Sequence, residues 1–258
     1  MQQLLFKIIS YIKLLIFILR PHILFGFLRN PLLFISNILG MSKWVSDNKK
    51  EATFDDFMVL NRGPRKRYEL YKHVISELNL QDKPINFLEF GVCEGSSFFW
   101  WLKENKNPDT RFYGFDTFEG LPENWGIAYK KGDMYHDVPV TDDKRAQFVA
   151  GLFQETLPGF LDSNTLDNSK TNIIHIDADL FSSTLFSLAT LAPYMKIGDV
   201  ILFDEFSVPN HEYYAFKLFT DSFYIKTKLI GAVNNYFQTA VVVTEKPISK
   251  YSTVQTHQ

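Results

Sequence analysis

The chain has 258 residues, enough for one domain of ordinary core size with an appendage. Its net charge of −2 excludes the strongly basic surface of a nucleic-acid binder, and a single cysteine excludes an intrachain disulfide and fits a reducing, cytoplasmic compartment. Hydrophobic content of 46% with 22% charged residues is globular, and 25 Phe with 12 Tyr promise an aromatic core.

These averages conceal a split. Residues 1–46 hold Lys7, Lys13, Arg20, Arg29 and Lys43 and no acid, whereas the remainder has 22 basic and 29 acidic residues. The chain is therefore expected to divide into a basic, apolar helical segment, 1–46, and a main domain, 47–258. Uncharged runs at 14–19, 21–28 and 30–42 each fall short of the roughly 18 residues a spanning helix needs. On a helical wheel Leu4, Leu5, Ile8, Ile9, Ile12, Leu15, Ile16 and Leu19 share one face. Gln3, Lys7, Ser10, Tyr11, Lys13 and Arg20 lie broadly opposite. Such a helix suits peripheral contact with a membrane interface, and equally suits packing on the body or on a partner in a homo-oligomer. No small-residue cleavage site follows the apolar run, which argues against a signal peptide.

Gly40 to Ala52 reads as a polar linker. Arg65–Leu80 has helical periodicity and ends at Gln81-Asp-Lys-Pro84. Strand 86–90, a helix from Ser96 to about Asn105 and strand 111–116 follow. The segment 117–143 is long, irregular and rich in Gly, Pro and Asp, which marks a functional or mobile loop. Two later runs, 172–176 and 199–203, are almost purely apolar, as strands buried on both faces must be. The helix Ser182–Met195 separates them. The segments 223–233 and 236–244, joined at Asn234-Asn235, read as a hairpin. Alternating strands and helices with this hairpin predict an α/β fold, with a mostly parallel sheet and an antiparallel edge strand.

The chemistry is concentrated at strand ends. Glu89-Phe-Gly-Val-Cys-Glu-Gly95 delivers an acid and two glycines to a strand-to-helix turn. Glycine lets backbone approach a ligand closely, so this turn suits a nucleoside. Position 93 is Cys, so it is not the G-x-G-x-x-G of a dinucleotide site. Asp116 ends the next strand, where ribose hydroxyls are commonly held. The central strands end in Asp177-Ala-Asp179 and Asp204-Glu205. Carboxylates gathered at one sheet edge repel unless a cation sits among them, and oxygen donors favour Mg²⁺, Mn²⁺ or Ca²⁺. Asp179, just before Ser182-Ser183, also suits a helix cap. His175 reads as a satisfied core residue, Cys93 as a small filler, and His136 as either a substrate contact or a solvated loop residue.

The order of these motifs resembles the macrocin O-methyltransferase family of class I S-adenosylmethionine-dependent methyltransferases. The residues that carry it are Glu89-Phe-Gly-Val92 with Gly95, Gly114–Pro122, Gly151–Pro158, Asp177–Thr184 and Phe203–Phe206. The resemblance implies a Rossmann-like fold with a seven-stranded sheet, helices on both faces and an antiparallel terminal hairpin. It implies that Glu89, Gly91, Gly95 and Ser96 surround the methionine and ribose of S-adenosylmethionine, that Asp116 holds the ribose and that the Gly151 region flanks the adenine. It assigns Asp177, Asp204 and Glu205 to Mg²⁺ and Asp179 to the base, which makes Asp177 and Asp179 the expected catalytic pair. Glu205 stands where the family has Asp, and Phe181 and Phe206 where it has Tyr. The implied acceptor is a sugar hydroxyl of a glycan or glycosylated metabolite. A catechol-type phenol is the alternative, with Trp100, Trp101 and Trp125 as candidate walls of an aromatic slot. A membrane-docked binding subunit without activity is the non-enzymatic one.

Overall fold

The computed structural model describes residues 2–126, 128–163, 166–167 and 169–247; the last part of the expected main domain, 248–258, lies outside them. In chain order the elements are α1 (Gln2–Leu19), α2 (His22–Phe25), α3 (Arg29–Asn48), β1 (Phe54–Asp55), α4 (Lys66–Glu77), β2 (Ile85–Phe90), α5 (Ser96–Glu104), β3 (Arg111–Asp116), β4 (Ala146–Ala150), α6 (Phe153–Ser163), β5 (Thr171–Ile176), α7 (Phe181–Leu191), β6 (Val200–Phe203), α8 (Glu212–Phe223), β7 (Lys226–Val233) and β8 (Gln238–Glu245). The strands form one sheet in the order β1-β7-β8-β6-β5-β2-β3-β4. Only β8 runs antiparallel to its neighbours.

The sheet has eight strands rather than the expected seven. The extra one, β1, is a two-residue edge strand paired parallel to β7, too short to leave a periodic signal. The expected polar linker from Gly40 is also corrected. Helix α3 continues through it to Asn48, because Met41, Trp44 and Val45 on one face pack against the core. Helices α6 and α8 and strand β4 had no clear signature. Pro158 interrupts the helical pattern of α6, and β4 is an edge strand with exposed positions.

Strand β2 shows why the centre of the sheet is stable. All six residues are buried, and alternate side chains serve opposite faces. Leu88 and Phe90 join a core under α3, α6, α7 and α8, whereas Ile85 and Phe87 join one under α4 and α5. The hairpin expected at Asn234-Asn235 is present, with Asn234, Asn235 and Tyr236 all at left-handed φ.

Helix α1 differs from the expected amphipathic reading. None of its residues is buried, and Phe6, Leu14, Phe17 and Ile18 are exposed on the side shared with the lysines. It is apolar around its whole circumference. By length and composition alone, Gln2–Leu19 and the segment His22–Asn48 are each sufficient to cross a membrane.

Candidate functional site

The strands β2, β3, β5 and β6 deliver their carboxyl ends to one edge, and a cavity of about 330 Å³ opens there. Ligands of open α/β sheets sit at this edge. The cavity is lined by Glu89, Gly91, Ser96, Asp116, Asp177, Asp179, Asp204 and Glu205 among others. Gly95 caps α5 beside it at φ +86°, and Gly151 lines an adjoining depression while Leu152, Phe153 and Gln154 reach the cavity itself.

Gly91 is a steric requirement. Its φ is +93°, and a Cβ there would lie 1.8 Å from the Asp177 carbonyl oxygen. The glycine lets β2 turn sharply against the end of β5. Asp116 then fixes the turn: Oδ2 accepts the Val92 and Cys93 N–H groups, both at 2.8 Å, and Oδ1 accepts Phe118 N–H at 2.9 Å. Its role is thus already partly structural.

Glu89 is 1% exposed, and Oε1 meets His175 Nδ1 at 2.9 Å. His175 Nε2 meets the Tyr71 hydroxyl at 3.0 Å, which makes His175 the satisfied core residue expected. Among the described residues Glu89 Oε2 has no partner. Burial raises the Glu89 carboxyl pKa, and the His175 hydrogen bond opposes the rise. Among the described residues, Glu89, His175 and Asp177 have ligand atoms all within 4.8 Å of one another, whereas the expected trio Asp177, Asp204 and Glu205 does not meet that test. Both ring nitrogens of His175 are in use, so a buried hydrogen-bond relay accounts for this group.

The other acids form a chain of coupled charges. Asp204, 3% exposed, accepts Arg67 Nη2 at 2.8 Å on Oδ2, and its Oδ1 has no partner among the described residues. Arg67 Nη1 stands 3.7 Å from Asp177 Oδ2. Burial, then the charges of Asp204 and Asp179, hold the Asp177 carboxyl well above the usual range. Burial and the charges of Asp204 and Asp116 push Asp179 to about 7, against a hydrogen bond with Glu205. Burial, then Asp179 and Asp204, push Glu205 to about 9. Asp179 sits at φ +57°, and Glu205 N–H donates to Glu212 Oε2 at 2.9 Å, so both chains have left their strands. That exit lets neighbouring acids share one edge. The unpartnered Asp204 Oδ1 and Glu205 Oε2, in an acid-rich cluster, fit a divalent cation bound through oxygen.

Sequence reading missed Arg67 and Glu212, which sit on α4 and α8. A basic run at Arg65-Lys66-Arg67 was visible, but only the tertiary structure sets it against Asp204. Trp101 is fully buried, and Trp100 packs on Tyr68 and Tyr71. Of the three tryptophans, Trp125 alone lines the cavity, stacked on Tyr129 with centroids 4.9 Å apart. Phe206 is buried in contact with Trp44 of α3, and Phe181 stacks on Tyr214. His136 lies away from the cavity lining, and Cys93 is a free, partly buried thiol in the turn.

Residues 88–206 match a family described as a methyltransferase domain. The chain is 23% identical over 165 residues to the 8-demethyl-8-(2,3-dimethoxy-α-L-rhamnosyl)-tetracenomycin-C 4′-O-methyltransferase of Streptomyces olivaceus, covering 55% of this chain and 61% of that protein. It is 22% identical over 163 residues to the demethyldecarbamoylnovobiocin O-methyltransferase of Streptomyces niveus, covering 55% and 60%. The chain thus spans about three-fifths of the length of these relatives. The crystal structure of a calicheamicin methyltransferase superposes with a TM-score of 0.54 at 23% identity, over 70% of this chain and 80% of that one. That similarity establishes the fold. Residues 88–206 are therefore similar to a methyltransferase-domain family, and the chain has the Rossmann-like fold of the calicheamicin methyltransferase, the fold that the resemblance in its sequence implies.

Proposed function

We propose that this chain is an O-methyltransferase that uses S-adenosylmethionine and Mg²⁺ to methylate a sugar hydroxyl of a glycan or glycosylated metabolite. The observation that carries this reading is the meeting, in one cavity, of the Gly91–Gly95 turn with the carboxylates of Asp177, Asp179, Asp204 and Glu205. The tetracenomycin enzyme acts, by its name, on a rhamnosyl-bearing product, which supports a sugar-bearing acceptor. The expected setting is cytoplasmic, with peripheral membrane contact through residues 1–46, and nucleic acid is not a partner.

The unpartnered Glu89 Oε2 supports a contact with the cofactor's ammonium group. His175 and Tyr71 hold that carboxylate in position. Asp116 retains lone-pair capacity for a ribose hydroxyl beyond its three backbone bonds. Gly91, Gly95 and Ser96 leave room for the methionine part, with residues 151–154 beside the adenine. Bound there, S-adenosylmethionine would supply an electrophilic methyl group to the acceptor oxygen and leave with the S–C electron pair on sulfur. Bound Mg²⁺ supplies Lewis acidity and a template for the acceptor oxygen. Asp177, Asp204 and Glu205 would hold the cation, and Asp179 would take the hydroxyl proton on its carboxylate.

The Trp125–Tyr129 stack at the cavity wall supports a second reading, methylation of a planar catechol-type phenol. Incubation with methyl-labelled cofactor and a panel of sugars, glycosides and catechols separates the two. Label in glycosides alone supports the first reading, and label in catechols alone the second. Tight cofactor binding with no acceptor labelled points to the non-catalytic binding subunit.

A further inference from the structure

The reaction above uses nothing before α4, yet residues 2–36 present an apolar surface that no described part of the chain covers. Along α1, Leu4, Leu5, Phe6, Ile12, Leu14, Leu15, Phe17 and Leu19 are each more than half exposed. Ile23, Leu24, Phe25, Phe27, Leu32 and Ile35 extend the surface into α2 and α3. Soluble monomers rarely leave so large an apolar patch in water.

Helix α3 ties this surface to the site. Asn37 Nδ2 donates to Asn210 Oδ1 at 2.9 Å, just before α8. Gly40 lies against Tyr213, where a Cβ would come within 3.0 Å of the hydroxyl. Trp44 packs on Phe206 and Phe216, with centroids 4.8 and 5.9 Å apart. Rising numbers in α3 meet rising numbers in α8, so the two helices run parallel. Helix α8 leads from the carboxyl end of β6, beside the cavity, back to the start of β7 at the opposite edge. The residues before Asn37 therefore project past the edge that holds the cavity. At about 1.5 Å per residue, Arg29 lies roughly 12 Å beyond Asn37, with α1 further along the chain.

We propose that residues 2–36 dock the chain on an anionic lipid bilayer with the cavity on the lipid-facing side, so that the acceptor is a glycan carried at the membrane surface. The acceptor part rests on the methyl-transfer reading of the site; the docking part does not. Lipid fits better than a second copy of the chain. A helix–helix interface covers one stripe of α1 and leaves the rest in water. A symmetric partner would also bring Lys7, Lys13, Arg20 and Arg29 against their own kind, with no acid in the segment to balance them. Anionic headgroups complement that charge. Lys7 and Lys13 fall near the middle of α1, where a spanning helix would place them deep in hydrocarbon. The helix instead lies in the plane of one leaflet, sunk far enough to cover Phe6 and Phe17, while the lysine stems reach up to the headgroups.

The test is co-sedimentation of the full chain with vesicles of phosphatidylglycerol and phosphatidylcholine in equal parts. Cofactor binding by the same preparation is measured separately by calorimetry. The chain is expected in the vesicle pellet. Lys7→Gln with Lys13→Gln should weaken binding about thirty-fold, from roughly five-fold per lysine at the surface. Phe6→Asp with Phe17→Asp should abolish it with melting temperature unchanged, since neither side chain packs on the body. For orientation, a fluorophore on Glu119→Cys, in a Cys93→Ser background, should be quenched by nitroxide-labelled headgroups, and one on Tyr224→Cys at the far edge should not. A chain that stays in the supernatant, or a solution dimer that buries these helices, overturns the docking. Quenching at Tyr224 without quenching at Glu119 overturns the facing direction. Vesicle binding by a chain that fails to bind S-adenosylmethionine overturns the methyl-transfer reading and its acceptor, and leaves the docking supported.

Discussion

Strand β2 and helix α1 are both rich in large apolar side chains, yet every residue of β2 is buried and none of α1 is. Composition is shared; surroundings are not. Strand β2 sits between β5 and β3, with a helical layer on each face, so both sets of alternate side chains find partners. Helix α1 precedes the domain, and among the described residues no neighbour packs over it. An apolar run therefore specifies that a segment leaves water, and topology specifies where it goes.

The strongest way to break this contrast is at Gly91. Gly91→Ala places a methyl group into the Asp177 carbonyl at a left-handed φ, and should cost about 3–5 kcal/mol in denaturant unfolding, with loss of cofactor binding. Leu88→Ala in β2 should cost about 2–5 kcal/mol, whereas Leu15→Ala in α1 should stay within about 0.5 kcal/mol in the absence of lipid. Equal costs for the two leucines would show that α1 is packed in solution.

Within the site, Asp179→Asn should lower the methyl-transfer rate by about 10²–10⁴-fold at nearly unchanged cofactor affinity. Asp116→Ala should weaken cofactor binding by about 1–3 kcal/mol and loosen the 91–95 turn, because three backbone N–H groups lose their acceptor. Calorimetry with S-adenosylmethionine separates the two, and equal affinity losses would show that the roles are not distinct. Asp177→Ala and Asp204→Ala should each cost more activity than Glu205→Asp, and chelation should abolish turnover until Mg²⁺ is returned. Full activity after exhaustive chelation would remove the cation from the proposal.

The smallest effects concern charge. Folded-state values of about 7 for Asp179 and about 9 for Glu205 lie above those of an unfolded carboxyl, so the folded, cation-free protein holds more protons. Their contribution to stability is complete below about pH 4 and is lost as pH rises through about 7 and then about 9. Melting curves should show this decline without Mg²⁺ and a reduced one with it, and Mg²⁺ binding should release protons into a weak buffer. Arg67→Met removes the guanidinium that neutralises Asp204, and should tighten Mg²⁺ binding by about tenfold in calorimetry.

The sequence by itself determined the strand-ending motifs and the parallel α/β order, because strands buried on both faces read as apolar runs. It also placed Glu89, Asp116, Asp177, Asp179, Asp204 and Glu205 at strand ends, where a single edge collects them. Strand β1 and strand β4 were not legible, since a two-residue edge pair and a half-exposed strand leave no clean period, and helix α8, Glu212–Phe223, was not read. Only the tertiary structure decided that Arg67 neutralises Asp204, that Glu205 turns toward Asp179, and that α3 runs parallel to α8. Those facts depend on contacts between residues far apart in the chain. Local periodicity reports which faces avoid water, and it holds no information about which distant charge will stand beside them.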